Sequence, residues 1–352
     1  MQVVGITHHG PDGTETLLGQ EYLLSDTNHL VATGHSFGSS SFQSGFSFST
    51  LHGPASTVVG SSTGLEIDLI WDNSVRSSAN WAAIESAVIA AAQIYTQTSS
   101  SHVVINIAVG YGEIAGARMP SSALGESESY GYITNYSTVA SALNAADSGL
   151  MSNGLMSSNA LSVDGPPTNA NFFVTSAEAK ALGLVNGSST AIDGYIGLTS
   201  SSSLLYFPAN GGSIGKTQYD AVGVAAHEIS EVMGRIGLEG QSLGSYHNVF
   251  TPLDLFRYQA VDVRDLTPTS GYFSTTDGIG GATNLNSYNN PLNGGDSADW
   301  ASSVLNDSYD AFGTPGVITH VSATDLVELA SLGYTLNSSG LADIKNNTTI
   351  VA

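Results

Sequence analysis

Thr217-Gln218-Tyr219-Asp220-Ala221-Val222-Gly223-Val224-Ala225-Ala226-His227-Glu228-Ile229-Ser230-Glu231-Val232-Met233-Gly234-Arg235-Ile236-Gly237 is the stretch on which the reading of the fold turns. Thr217 and Asp220 stand in capping-box spacing and Gly237 offers a stop, so the pattern predicts a helix from Gln218 to Ile236. At about 100° per residue, Val222, Ala225, Ala226, Ile229, Val232, Met233 and Ile236 fall on one apolar stripe. His227 and Glu231 then share the opposite side, one turn apart. Gly223, Val224 and Gly234 lie there too, too small and apolar for an ordinary wet face, and we expect that side to floor a cleft.

Upstream, Leu65, Ile67, Leu69 and Trp71 alternate within Leu65-Glu66-Ile67-Asp68-Leu69-Ile70-Trp71 and predict a strand. Trp81, Ile84, Val88, Ala91 and Tyr95 recur at helical spacing, giving a helix from Asn80 to Thr96, and Val103, Ile105, Ile107 and Val109 give a second strand. Strand, helix and strand in this order form a β-α-β unit on one sheet. A short helix is expected over Thr138 to Ala146 in a Ser-, Gly- and Ala-rich region. Phe172 to Leu184 reads as a strand running into a helix with Ser176 as N-cap. Near the end, Ser322 and Asp325 are in capping-box spacing and Gly333 stops the helix they begin. We divide the chain into a β-rich, Gly/Ser-rich extension over 1–60, a main domain over 61–340 and a tail over 341–352. The tail ends in a short apolar run of the kind seen in C-terminal export signals of type I secreted proteins.

The 352 residues suffice for a sizeable core. A formal charge of -22, from 30 acids against 8 Lys and Arg, disfavours nucleic acid and anionic membrane surfaces as partners. With 40 Gly and abundant Ser, Thr and Asn, the surface is polar but largely uncharged, which suits an extracellular habitat. The absence of cysteine excludes disulfides, thiolate catalysis and Cys-based zinc sites, so any metal must be held by His or carboxylate. No apolar stretch reaches the roughly 18 residues that a membrane helix needs.

His227-Glu228-Ile229-Ser230-Glu231 parallels H-E-x-x-H, in which two His bind zinc from adjacent turns and the Glu between them polarises water. Here the second ligand position is a carboxylate. An oxygen ligand at i+4 can reach the same ion, yet it adds negative charge and makes zinc less exclusively preferred over harder metals.

Ala225 to Arg235 resembles the active-site helix of a family of secreted proteobacterial metalloproteases, distantly similar to the metzincins, the group that includes serralysin. Further stretches carry the resemblance between about residues 65 and 335. They are Trp71-Asp72, Ile105 to Glu113, Leu124-Gly125-Glu126-Ser127, Ala177 to Leu184, Pro252 to Tyr258, Asp296-Ser297-Ala298-Asp299-Trp300, and Asp325 to Tyr334. The resemblance implies an α+β metzincin-like zincin catalytic domain, a twisted mixed sheet with an active-site helix. It also implies a secreted, monomeric, zinc-dependent endopeptidase acting on polypeptide, with Glu228 as catalytic base and His227 and Glu231 as ligands. Gly234 keeps the glycine of the metzincin motif, but its third ligand position is Gly237 and no Met follows Met233. The third ligand is therefore open between Asp254, in Thr251-Pro252-Leu253-Asp254-Leu255-Phe256-Arg257-Tyr258, and His247. Tyr258 or Tyr272 could hydrogen-bond the oxyanion, and Arg235 is expected to pair with a buried carboxylate or the helix C-terminus. The acidic loops at Asp277 and Asp296 to Asp299 are candidates for structural Ca2+. Two rival functions remain at this stage: a metal-dependent hydrolase of polysaccharide or another non-peptide polymer, and a calcium-stabilised adhesion protein without catalysis.

Overall fold

Alternation dictates the first strands of the sheet. In β2 (Glu66–Trp71), Ile67, Leu69 and Trp71 are buried while Glu66, Asp68 and Ile70 are half-buried, and β1 (Ser56–Gly60) pairs with it antiparallel. The computed structural model describes residues 56–350 apart from 158–160, 162–164, 168, 202, 244 and 277–283, together with the backbone of strands Val4–Ile6 and Glu21–Ser25. Helix α1 (Trp81–Thr98) follows and returns the chain to β3 (Val104–Tyr111), which runs parallel to β2 with Ile67 opposite Ile105. The expected β-α-β unit is thus present, its helix two residues longer at the C-terminal end than the spacing suggested.

Next come β4 (Gly125–Asn135), β5 (Asn171–Thr175) and β6 (Gly194–Leu198), then α2 (Ala221–Val232), β7 (Gln241–Leu243) and β8 (Tyr246–Phe250). The sheet runs β7-β8-β5-β4-β6-β3-β2-β1, and Glu21–Ser25 also pairs with β4. Its pairing is mixed: β2, β3 and β6 are mutually parallel, as are β5 and β8, while β4 is antiparallel to both β6 and β5. The class is therefore α+β, with the mixed sheet that the sequence led us to expect.

Helix α2 lies against β4 and β6 and packs on α1. Small residues permit this approach: a Cβ on Gly194 of β6 would meet the Val232 side chain at 2.8 Å. The chain closes with α3 (Ala323–Ser331) and α4 (Ser338–Asn346). Ser322 and Asp325 form the expected capping box and Gly333 takes φ +100° just beyond the helix. Ser56–Gly60 belongs to the sheet, residue 341 lies inside α4, which packs on α1 and α3, and Ile350 pairs with Val321. Thr175, not Ser176, caps helix Ser176–Ala181, because its hydroxyl reaches the Glu178 amide. Most of the expected 1–60 extension and Asp277 lie outside the described residues.

One core residue is at odds with its surroundings. Asp147, between helices Tyr136–Ala146 and Ser148–Ser152, is fully buried, and neither carboxylate oxygen has a hydrogen-bond partner. Burial pushes its pKa up to about 8. A carboxyl whose folded pKa exceeds its ordinary 3.8 favours the fold below that lower value, and the contribution is lost as pH rises through the folded one. The Asp147→Asn variant should therefore melt a few degrees above wild type at pH 8 and level with it at pH 4, in calorimetric scans across that window. An equal difference at both pH values would show that Asp147 does not titrate in the fold.

Candidate metal centre

Helix α2 begins later than the capping pattern predicted. Tyr219–Asp220 pairs as a short strand with Leu205–Tyr206, so the helix starts at Ala221 with Asp220 as N-cap, its Oδ1 accepting the Val222 amide at 3.2 Å. It also stops earlier. Met233 is the C-cap and Gly234 takes φ +117°, where a side chain would in addition meet the Glu178 carboxylate at 3.0 Å. All 12 residues of α2 are buried, so the side bearing His227 is no open floor; Ser308, Tyr309 and Asp299 cover it.

Among the described residues, one group of three His or carboxylate side chains offers ligand atoms within 4.8 Å of one another: His227, Glu231 and Asp299. His227 Nε2 stands 3.1 Å from Glu231 Oε1 and 3.4 Å from Asp299 Oδ1. On the far side of the ring, Nδ1 is 2.8 Å from the Ser308 carbonyl oxygen. A carbonyl only accepts, so Nδ1 carries a proton and Nε2 is the atom presented to the two carboxylates. A neutral imidazole would direct a lone pair at two anionic oxygens there. The arrangement is satisfied only by a proton on Nε2 or by a cation among the three groups, and a backbone carbonyl fixing Nδ1–H is the usual support of a metal-binding histidine.

The surroundings hold these ligands in place. Ser127 of β4 donates to Glu231 Oε2 at 2.7 Å. Arg235, fully buried, donates from Nη1 to Asp299 Oδ1 at 2.6 Å, and its Nη2 is 3.4 Å from Glu231 Oε1. Its Nε donates to Ser230 Oγ at 2.7 Å, and the guanidinium lies 4.4 Å from the centroid of the Tyr309 ring, which meets His227 edge-on. Glu228 is buried against β4, where a Cβ on Gly125 would collide with its carboxylate.

Charge decides what the site can hold. Burial raises the Glu228 pKa well above the carboxylate range, and the neighbouring Glu231 raises it further. Burial opposes ionisation of Glu231 as well, but His227, Arg235 and Ser127 together outweigh it and lower its pKa. Burial would lower His227, yet Asp299 and Glu231 prevail over Arg235 and raise it. Glu328, which also feels Arg235, is pushed up to about 8 by burial and stays protonated at neutral pH. Glu231 and Asp299 share the positive charge of Arg235, and a cation beside His227 Nε2 would offset the remaining negative charge. One nitrogen and two carboxylates suit Zn2+, with Mn2+ or Co2+ as competitors.

Neither residue expected as third ligand belongs to this group. Asp254 is turned to the backbone, its Oδ2 accepting the amides of Leu238, Glu239 and Thr251 at 3.2, 3.0 and 2.8 Å, so it braces the loop after α2. His247 is on the surface, 2.8 Å from Ser242 Oγ. Tyr258 is buried in a separate four-stranded sheet, stacked on Tyr272 at 6.1 Å and beneath Arg264. Arg235 does pair with buried carboxylates, as expected. Asp299, read from sequence as a calcium-loop acid, takes the third position because Trp300 bridges to both Tyr288 and Asp310 and anchors its neighbour over α2. Asp299→Asn, Glu231→Gln and His227→Ala should each reduce bound transition metal from about one ion per chain to roughly half or less, by elemental analysis after gel filtration. His247→Ala should leave it unchanged. Full occupancy in Asp299→Asn would remove Asp299 from the ligand set. No family model, curated protein or solved structure matches this chain.

Proposed function

We propose that this protein is a secreted metal-dependent endopeptidase in which His227, Glu231 and Asp299 hold the ion and Glu228 is the general base. The observation that carries the reading is the convergence of Glu231 and Asp299 on His227 Nε2, with the ring oriented from behind by the Ser308 carbonyl. Parallel β2, β3 and β6, with antiparallel β4 beside the ligand-bearing helix, support a zincin-like domain of distant metzincin type. Where a metzincin has a methionine beneath the metal, this chain sets the Tyr309 ring at right angles to His227, with centroids 6.5 Å apart. The Tyr309 hydroxyl is committed elsewhere, donating to Tyr95, whose own hydroxyl donates to the Ala226 carbonyl of α2.

When bound, the ion supplies Lewis acidity, polarising the substrate carbonyl and acidifying water. Glu228 takes the proton of the attacking water and returns it to the leaving amine, a shuttle suited to a carboxyl whose burial lifts its pKa above the ordinary carboxylate range. Glu231 cannot share that task, since Ser127 and Arg235 bind its oxygens and keep it anionic. A small cleft lined by Gly223, Val224, Ser308, Asp310 and Thr319 lies beside the segment whose Ser308 carbonyl accepts from His227.

Glu228→Gln should abolish casein hydrolysis, a loss of about 10²-fold to 10⁴-fold or more. Metal content and melting temperature should stay at wild-type values, because the amide keeps the shape and the ligands are untouched. Zymograms on casein and on glycan gels, run side by side, check the reaction class. Cleared glycan with intact casein would redirect the reading to a polysaccharide hydrolase, and retained proteolysis in Glu228→Gln would end the general-base assignment.

A further inference from the structure

Glu231 does not present both of its oxygens to the His227 group. Its Oε1 lies 3.1 Å from His227 Nε2 and 3.4 Å from Arg235 Nη2, whereas Oε2 accepts the Ser127 hydroxyl at 2.7 Å. Both partners of that last bond are buried, and the donor is held by the sheet, since Ser127 of β4 stands opposite Ile196 of β6. Two residues earlier on the same face of β4, Gly125 lies against the Glu228 carboxylate. Neighbouring inward positions of one strand therefore each address one carboxyl of α2. Two residues further on, Ser129 is equally buried, yet its hydroxyl has no hydrogen-bond partner.

A carboxylate whose second oxygen is occupied by a hydroxyl can offer a cation one oxygen and not two. The number of donors bears on which ion is preferred. His227, Glu231 and Asp299 with one atom each supply three, the number with which Zn2+ makes a four-coordinate site by adding water. A second oxygen from Glu231 would move the set toward the oxygen-rich, higher-coordinate surroundings that Mn2+ accepts more readily. Arg235 acts in the same sense, because its Nη1 donates at 2.6 Å to Asp299 Oδ1, the oxygen that faces His227 at 3.4 Å, and draws charge from it.

We propose that Ser127 is a specificity-determining residue for the ion, restricting Glu231 to a single donor oxygen and thereby favouring Zn2+ over Mn2+ in spite of two carboxylate ligands. This assignment rests on the His227 group being a metal centre and is independent of the reaction it serves.

The test uses the full chain, stripped with chelator and titrated by calorimetry with ZnCl2 and, separately, with MnCl2, so that the ratio of the two affinities is read. Ser127→Ala and Ser127→Val, two ways of removing the hydroxyl in case one impairs folding, should lower the Zn2+-to-Mn2+ ratio roughly 10-fold or more. Ser127→Thr, which has the shape of valine and keeps the hydroxyl, should stay close to wild type. Ser129→Ala, the same change on the same face of the strand, should leave the ratio unaltered. A purely structural role for Ser127 would weaken both ions equally, so an unchanged ratio in the alanine and valine variants overturns the proposal while the metal centre stands. An equal fall in Ser129→Ala overturns it too. Wild type that binds neither ion would overturn the proposal and the metal centre together.

Discussion

A single buried guanidinium organises the middle of this molecule. Arg235 stands just past the end of α2 and binds four things at once: the Ser230 hydroxyl, the Glu231 carboxylate, the Ala298 carbonyl and the Asp299 carboxylate, with the Tyr309 ring against its face. A planar fork with fixed donors can do this where a lysine could not. Its charge also has a cost that the structure must offset, since a buried cation needs anions and those anions need further support. Ser127 on β4 and the imidazole of His227 provide that support for Glu231. Helix, strand and loop are thereby joined through polar contacts in a region where packing alone would allow them to slide.

The same logic explains why α2 is buried on every side. An apolar stripe secures it to the sheet and to α1, and the opposite side is covered by the Ser308-Tyr309 segment. Tyr95 connects the two sides, accepting from Tyr309 and donating to the Ala226 carbonyl, so α1 fixes the rotation of α2 as well as its position. Fixed rotation matters for a candidate site in which two of the converging side chains come from one helix and the third from a loop more than sixty residues later.

What the sequence made legible was whatever periodicity or local capping encodes. β2, α1 and β3 follow from alternation and helical spacing, and the Ser322 capping box is a purely local signal. The bounds of α2 were less legible, because Tyr219–Asp220 finds a strand partner in Leu205–Tyr206 and because Gly234 reaches the left-handed region before Gly237. β4 was missed entirely. Its Gly125, Ser127 and Ser129 face inward, small or polar because α2 presses on them and Glu231 needs a donor, so no apolar alternation marks the strand. Asp299 was quoted in its motif but read as a loop acid: nothing local distinguishes a ligand from a solvated carboxylate. Asp254 drew the third-ligand expectation because it lies in a well-defined motif, and that motif encodes a loop brace of three amides.

The allocation of basic residues has a consequence for survival in a protease-rich environment. Of the 8 Lys and Arg, Lys180, Arg235, Arg257 and Arg264 are buried in polar networks or ring contacts, leaving Arg76, Arg118, Lys216 and Lys345 at the surface. Digestive enzymes that cut after basic side chains therefore meet only four exposed points of attack along the whole native chain. Interior use of arginine, adopted to manage buried acids, also leaves the exterior poor in tryptic targets.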